Sequence, residues 1–184
     1  MLTDKELVKE CQRNNQKAQR QLYEKYKGRL IGLCLRYTKD RESAEDIFHE
    51  AFIKIYREIG NLRKVESLYS WLRSVTISTA INHYHKNRKH QDCLGIIDFE
   101  ESNNDYDRIF SDLNAKELLA LVQALPDGYR VVFNLYVIDG YKHKEIAEML
   151  DISENTSKTQ LLMAKRQLKK ILEGMNITRY EKIN

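Results

Sequence analysis

The sequence predicts an all-α chain built as two small helical domains joined by a flexible acidic linker. Three observations carry this. The 184 residues hold one proline and seven glycines, too few breakers for many short strands linked by turns. Apolar residues recur at steps of three and four through both halves. Between the halves, from Gln91 to about Asp112, that periodicity stops, and the part from Asp98 to Asp112 carries six acids against the single base Arg108, the composition of a solvated tether. With 42% hydrophobic and 32% charged residues, the halves themselves are those of a soluble globular chain. The expected organisation is a first domain over 1–90, the linker over 91–112, a second domain over 113–174 and a tail over 175–184.

The elements follow in order. Ala18, Leu22, Tyr26, Leu30, Leu33 and Tyr37 make one helical stripe. A second stripe in "DRESAEDIFHEAFIKIYREI" comprises Ala44, Ile47, Phe48, Ala51, Phe52, Ile55 and Ile59, with Asp40 placed as its N-cap. "NLRKVES" breaks the pattern. A third helix is expected from about Leu68 to Lys89 with Leu68, Trp71, Leu72 and Val75 inward, although the β-branched cluster "SVTISTAI" opposes helix. Beyond the linker, "LNAKELLALVQAL" resumes helical spacing, Pro126 suits the first turn of the next helix, and "YRVVFNLYVI" continues it.

The last segment, "HKEIAEMLDISENTSKTQLLMAKRQLKKI", reads as a helix-turn-helix. Ile146, Ala147 and Leu150 face inward on its first helix, "DIS" turns, and Ser153 caps a second helix whose buried face is Leu161, Ala164, Leu168 and Ile171. At about 100° per residue, Asn155, Thr159 and Arg166 fall opposite that face, with Lys158 and Lys169 on one flank. Small polar groups suit a major groove and cations suit phosphates. The same pattern also serves helical hairpins that only pack.

Two features of the first half bear on that choice. "WLRSVTISTAINHYHKNRKH" carries Arg73, Lys86, Arg88 and Lys89 with no acid, and aromatic rings lie among the cations, as on surfaces for opened nucleic acid. A solvated basic helix end has the same composition. On the preceding helix Glu42, Asp46 and Glu50 sit four apart, a repulsion of a few tenths of a kcal/mol per pair. A cationic partner would relieve it, and Ile53, outside the apolar stripe, fits the same contact; an ordinary acidic face is the alternative.

In order and spacing, "SAEDIFHEAFIKIYREI", "SWLRSVTISTAINHYHKNRK" and "LPDGYRVVFNLYVIDGYKHKEIAEMLDISENTSKTQLLMAKRQL" resemble the two regions of bacterial extracytoplasmic-function (group 4) sigma factors. The resemblance spans about Leu7 to Leu172. It implies a sigma domain 2 bundle, a sigma domain 4 helix-turn-helix, and a promoter-specificity subunit that binds core RNA polymerase and helps open DNA. It implies polymerase contacts, on the clamp helices, at Asp46, Glu50 and Phe52, beside the Ile53 already noted on that face. Minus-ten contacts are implied at Asn61, Arg63, Lys64, Ser78, Asn82, Lys86, Arg88 and Lys89, with the loop from Asn61 to Ser67 taking a flipped base. Minus-thirty-five contacts are implied at Asn155, Thr156, Lys158, Thr159, Gln160, Lys165 and Arg166. The polymerase flap and an anti-sigma factor are further implied partners, and the acidic linker would thread toward the active-site and RNA-exit region of the polymerase.

The chain departs from the family pattern where Ser78, Asn82, Asn155 and Gln160 replace more usual residues. Arginine prefers guanine and glutamine adenine, so base preferences cannot be borrowed. Leu162 and Met163 lie off the buried stripe, open to thymine methyls, the flap, an inhibitor or core packing alike.

Other chemistry finds little support. Cys11, Cys34 and Cys93 offer neither a disulfide framework nor a four-cysteine zinc site, and His83, His85, His90 and Cys93 lack metal-ligand spacing. No glycine-rich phosphate loop or nucleophile elbow is present. No stretch approaches the ~20 apolar residues of a membrane span, and "MLTDKELVKECQ" is not a signal peptide. The expectation is a cytoplasmic protein that is not an enzyme and has no metal, cofactor or small-molecule substrate. The competing reading is a stand-alone helix-turn-helix regulator with a sensor over the first ninety residues.

Overall fold

The computed structural model describes residues 2–62, 67–88 and 115–174. Every regular element among them is helical, and the chain divides into two compact units, Met1–Lys86 and Asn87–Asn184. The expected linker over 91–112 and tail over 175–184 lie outside the described residues, as do Arg63, Lys64, Lys89, His90 and Cys93.

In the first unit, α1 (Asp4–Gln12) starts in a capping box: the Glu6 N–H donates to Thr3 Oγ1 at 3.3 Å, and the Thr3 N–H donates to Glu6 Oε2 at 2.8 Å. Leu7, Val8 and Cys11 are its buried face. Helix α2 (Gln16–Tyr37) buries the whole expected stripe from Ala18 to Tyr37. Asp40 caps α3 (Arg41–Glu58), taking the Ser43 N–H at 2.7 Å, and that hydrogen bond holds its carboxyl below the usual range. The expected α3 stripe is buried as well, and Tyr23 of α2 meets Phe48 and Phe52 edge to face at 5.3 and 4.9 Å. A 3₁₀ turn, Ile59–Asn61, ends the pair, and Gln12 Nε2 ties α1 to it by donating to the Ile59 and Leu62 carbonyls, each at 3.2 Å.

Helix α4 (Leu68–Arg88) forms despite its β-branched run. Thr76 Oγ1 donates to the Leu72 carbonyl at 2.8 Å and Thr79 Oγ1 to the Val75 carbonyl at 2.9 Å. Buried hydroxyls satisfied within their own helix pack as small apolar groups. The inward face therefore turns onto Thr76, Ile77, Thr79, Ala80 and Ile81 beside Leu68 and Leu72. Trp71 and Val75, expected inside, are corrected to the half-buried margin.

Gly28 and Gly32 sit on exposed positions inside α2 with open space where a Cβ would lie. Helical glycine costs chain entropy without return there. Gly28→Ala and Gly32→Ala are each expected to stabilise the chain by ~0.5–1 kcal/mol, measured as a higher urea midpoint at unchanged slope. Cys11 and Cys34 are buried thiols pushed up to about 11 and about 12 by desolvation, which keeps them unreactive.

In the second unit, α5 (Ala115–Gln123) leads to Pro126, which is the N-cap of α6 (Asp127–Phe133) rather than part of its first turn. Its extended ψ of 148° breaks the chain direction before α6, and its carbonyl accepts the Arg130 N–H at 2.9 Å. Helix α6 runs into a π-turn, Asn134–Ile138, closed by the Asp139 N–H on the Asn134 carbonyl at 2.8 Å. Gly140 then takes φ +79°, a conformation that favours glycine.

Helix α7 (His143–Leu150) buries Ile146 and Leu150, leaves Ala147 half-buried, and ends with Asp151 in the left-handed region at φ 51°. Ser153 Oγ accepts the Thr156 N–H at 2.9 Å and so caps α8 (Glu154–Gly174). Leu161, Ala164, Leu168 and Leu172 bury α8 against α5, α6 and α7. Ile171, expected in that row, is half-buried, because Leu172 takes the last inward place.

Candidate functional surfaces

Three surfaces gather the residues singled out by the sequence. On α3, Asp46 is exposed and makes no ion pair or hydrogen bond among the described residues, and Ile53, seven residues on along the same face, is 59% exposed. Glu50 stands differently. Lys54 Nζ donates to it at 3.0 Å, Lys86 Nζ of α4 lies 3.9 Å away, and these cations hold its carboxyl below the usual range. Lys54 also donates to Thr79 at 3.3 Å. Glu50 thus links α3 to α4 from the margin of the acidic face. Phe52 is corrected from a surface contact to a support: it is 2% exposed among Tyr23, Phe48 and Tyr56, and it fixes α3 from behind.

On α4, Ser78, Asn82 and Lys86 are exposed at steps of four and form one row along the helix; Asn61 is exposed on the 3₁₀ turn. Of Arg88 the backbone alone is described, and Arg63, Lys64 and Lys89 lie outside the described residues.

On α8, Asn155 and Lys158 are exposed at the helix start, Thr159 and Lys165 are half-buried, and Arg166 is exposed two turns further on. Lys158 pairs with Glu154 at 3.1 Å, both about half exposed, a pair too wet to hold the ammonium against a phosphate. Two expected readers are placed otherwise. Thr156 Oγ1 is engaged with Ser153 Oγ at 2.8 Å in the cap. Gln160 is half-buried with its Oε1 shielded and without a hydrogen bond among the described residues. Gln160 lies four before buried Ala164, so it borders the core face and not the groove-facing side. Leu162 and Met163 are half-buried.

The structure adds an assembly behind α8. Ser157 is fully buried, its hydroxyl 2.9 Å from His143 Nδ1, and the His143 ring stacks on Tyr136 at 4.3 Å. Burial, with Lys158 nearby, pushes the His143 pKa down, so the imidazole is neutral near pH 7. The three residues brace the π-turn, α7 and the start of α8 together. The signal for Ser157 was its place four residues before Leu161, on the buried stripe; the His143 contact had none.

Among the described residues no three His, Cys, Asp or Glu side chains are grouped to hold a metal, and no helix is long and apolar enough to cross a membrane.

Comparisons with known proteins agree with this geometry. The description "Sigma-70 region 2" matches residues 22–90, which span α2 to α4, and "Sigma-70, region 4" matches residues 115–168, which span α5 to most of α8. The chain is 27% identical over 183 residues to the RNA polymerase sigma-H factor of Pseudomonas aeruginosa, covering 94% of this chain and 95% of that one. It is 26% identical over 178 residues to the ECF RNA polymerase sigma-E factor of Escherichia coli K12, covering 91% and 93%. Among solved structures, CnrH in complex with the cytosolic domain of CnrY shares the fold at a TM-score of 0.50 and 16% identity, over 93% of this chain and 97% of that chain. Both regions occur in one chain, which sets aside a helix-turn-helix regulator with an unrelated sensor. The chain belongs to the sigma-70 family and is an RNA polymerase sigma factor of the extracytoplasmic-function type.

Proposed function

We propose that the chain docks on core RNA polymerase through the α3 face of Asp46 and Ile53, reads the minus-ten element with α4, and reads the minus-thirty-five element with α8. The observation that carries this is Ile53. A large aliphatic side chain 59% exposed on the face of a carboxylate that makes no ion pair among the described residues wastes apolar surface in a free protein and serves a partner that is apolar at its centre and cationic at its rim. The clamp helices of the polymerase are that partner in this reading, with Glu50 at the edge and Phe52 as backing.

Along α4 the row Ser78, Asn82 and Lys86 faces promoter DNA, with Asn61 at the near end and Arg63, Lys64, Arg88 and Lys89 as further contacts. On α8, Asn155 and Thr159 face base edges while Lys158, Lys165 and Arg166 hold phosphates. Thr156 acts by capping the helix and Gln160 by supporting it. Each unit thus supplies one anchor on promoter DNA. The polymerase catalyses RNA synthesis, and this chain supplies specificity without a catalytic residue of its own.

The flap of the polymerase is the proposed second contact of the region 4 unit. A protein inhibitor of the anti-sigma class is a further proposed partner, supported by the fold shared with CnrH, which was solved bound to the cytosolic domain of CnrY. The proposed location is the cytoplasm, and the linker over 91–112 is proposed to run toward the polymerase active site.

Run-off transcription tests the whole. Purified chain added to core polymerase is expected to start transcripts at discrete promoters on genomic DNA, and no stimulation on any template would sink the reading. Lys158→Ala is expected to weaken minus-thirty-five duplex binding on all sequences and to reduce the salt slope by about one unit. Asn155→Ala is expected to relax preference at one base pair, a change of ~1–3 kcal/mol in discrimination, with the slope unchanged. Equal effects of the two variants on all sequences would contradict the face assigned to α8.

A further inference from the structure

The inward row of α8 is Leu161, Ala164, Leu168 and Leu172, and one step before it stands Ser157, fully buried. An aliphatic side chain at that place would hold the helix start by apolar contact alone. A buried hydroxyl needs a polar partner instead, and His143 of α7 supplies it, with Nδ1 2.9 Å from Ser157 Oγ and the ring stacked on Tyr136 at 4.3 Å. The Ser157 side chain makes no other hydrogen bond among the described residues. Asn155 and Thr159 lie two residues to either side of Ser157, about 200° around the helix. Whatever holds Ser157 from behind therefore sets how the opposite, reading side of α8 is presented.

We infer that His143 is a positioning residue for minus-thirty-five recognition: its neutral imidazole pins Ser157 and so places the start of α8, and protonation of the ring releases that start. The neutral ring can offer Nδ1 as the acceptor of the Ser157 O–H, which satisfies the buried hydroxyl. In the imidazolium both ring nitrogens are donors, so the hydroxyl loses its acceptor in a place that water does not reach. The π-turn and α8 pack on α7, and the groups they set around His143 are Tyr136 of the first and Glu154, Lys158 and Lys165 of the second. Burial opposes a cation there most, and Lys158 and Lys165 add to it; Glu154 and the face of the Tyr136 ring favour one. The opposing set prevails and holds the His143 pKa below the usual histidine value. The brace is therefore whole above that usual value and is lost as pH falls through the lowered one. His143 is only half-buried, so solvent protons reach it.

The inference rests on the proposed reading of the minus-thirty-five element by α8. Its test uses holoenzyme and a promoter found by run-off transcription, with the minus-thirty-five element intact or scrambled, from about pH 8 to about pH 5. Phosphates attract an imidazolium on any sequence, so the readout is the ratio of the two affinities, measured by fluorescence anisotropy.

For the wild type the ratio is expected to fall about fivefold below about pH 6.5, the scale of one buried hydrogen bond. His143→Phe keeps a ring to stack on Tyr136 and removes the acceptor, so its ratio is expected to be low at every pH. His143→Phe combined with Ser157→Ala replaces both polar partners by apolar groups, a change that costs little, and is expected to recover the ratio with no step in pH. Thermal unfolding at each pH accompanies each protein, and the wild-type and double-variant arms decide even where His143→Phe alone unfolds. A step that persists in the double variant, or no step in the wild type, would overturn the proposal. A full ratio in folded His143→Phe, or a wild-type step that only tracks loss of folded protein, would overturn it equally. A wild-type chain that directs no promoter, or a ratio of one at pH 8, would be a failure of the promoter reading instead.

Discussion

Asp46→Lys is expected to abolish binding to core RNA polymerase, with affinity reduced by at least about 100-fold. The position is exposed and makes no ion pair or hydrogen bond among the described residues, so the unit loses no internal contact. A surface change of this kind normally stays within about 0.5 kcal/mol of wild-type stability. At a cationic interface the reversed charge costs several kcal/mol, and each 1.4 kcal/mol is about tenfold in affinity. Titration of labelled chain with core polymerase measures the loss. Binding of the isolated minus-thirty-five duplex is expected to be untouched, because α8 belongs to the other unit. Wild-type affinity for core in this variant would remove α3 as the docking face.

Glu50 supplies a graded comparison. Lys54 and Lys86 already pair with it, so a partner cation would find less charge there, and Asp46→Ala is expected to weaken core binding more than Glu50→Ala. The spacing of four from Glu42 to Glu50 was legible in the sequence, but the intramolecular cations that distinguish Glu50 from Asp46 were only partly so. Lys54 lies one turn away on α3 and could be counted; Lys86 comes from another helix and requires the tertiary fold.

The same division runs through the molecule. The stripes of α2 and α3 were readable, with buried Cys34 of α2 left out, because a buried helix face repeats at 3.6 residues whatever it packs against. The face of α4 was not, since Thr76 and Thr79 count as polar by composition and become inward by bonding their own helix. In the run "ENTSKTQ" the sequence pointed to Asn155, Thr156, Lys158, Thr159 and Gln160 as DNA contacts and left Ser157 unplaced. The structure divides that run: Asn155 and Lys158 are exposed, Thr156 caps, Ser157 is buried on His143, and Gln160 lines the edge of the core. Contacts between helices, such as Arg29 over Tyr69 and Tyr136 on His143, left no trace in spacing because each depends on how two helices cross.

The largest effect on stability is expected at Arg130, which the sequence did not single out. Its side chain is almost wholly buried, yet it is charged and lies in "YRVVFNLYVI", where neighbours are apolar. Nη1 donates to the Leu125 carbonyl at 2.9 Å and to the Gln123 carbonyl at 3.3 Å, and Nη2 donates to Asp127 Oδ1 at 2.6 Å. The guanidinium thus closes the C-terminal end of α5, where carbonyls lack helical partners, and pins it to the first turn of α6. Arg130→Ala removes this donor from two carbonyls and a half-buried carboxylate, at a cost of ~3–5 kcal/mol. A domain with a total stability of about 5–15 kcal/mol tolerates that poorly. Arg130→Lys is expected to recover only part of the loss, because one ammonium cannot match three acceptors spread along a planar fork. Hydrogen exchange read separately over the two units decides the matter: amides of α6, α7 and α8 should lose protection while those of α2 and α3 keep it. Minus-thirty-five binding should fall with the second unit, and binding to core polymerase through α3 should persist. Full protection of α6 to α8 in Arg130→Ala would show that the α5–α6 junction holds without its guanidinium.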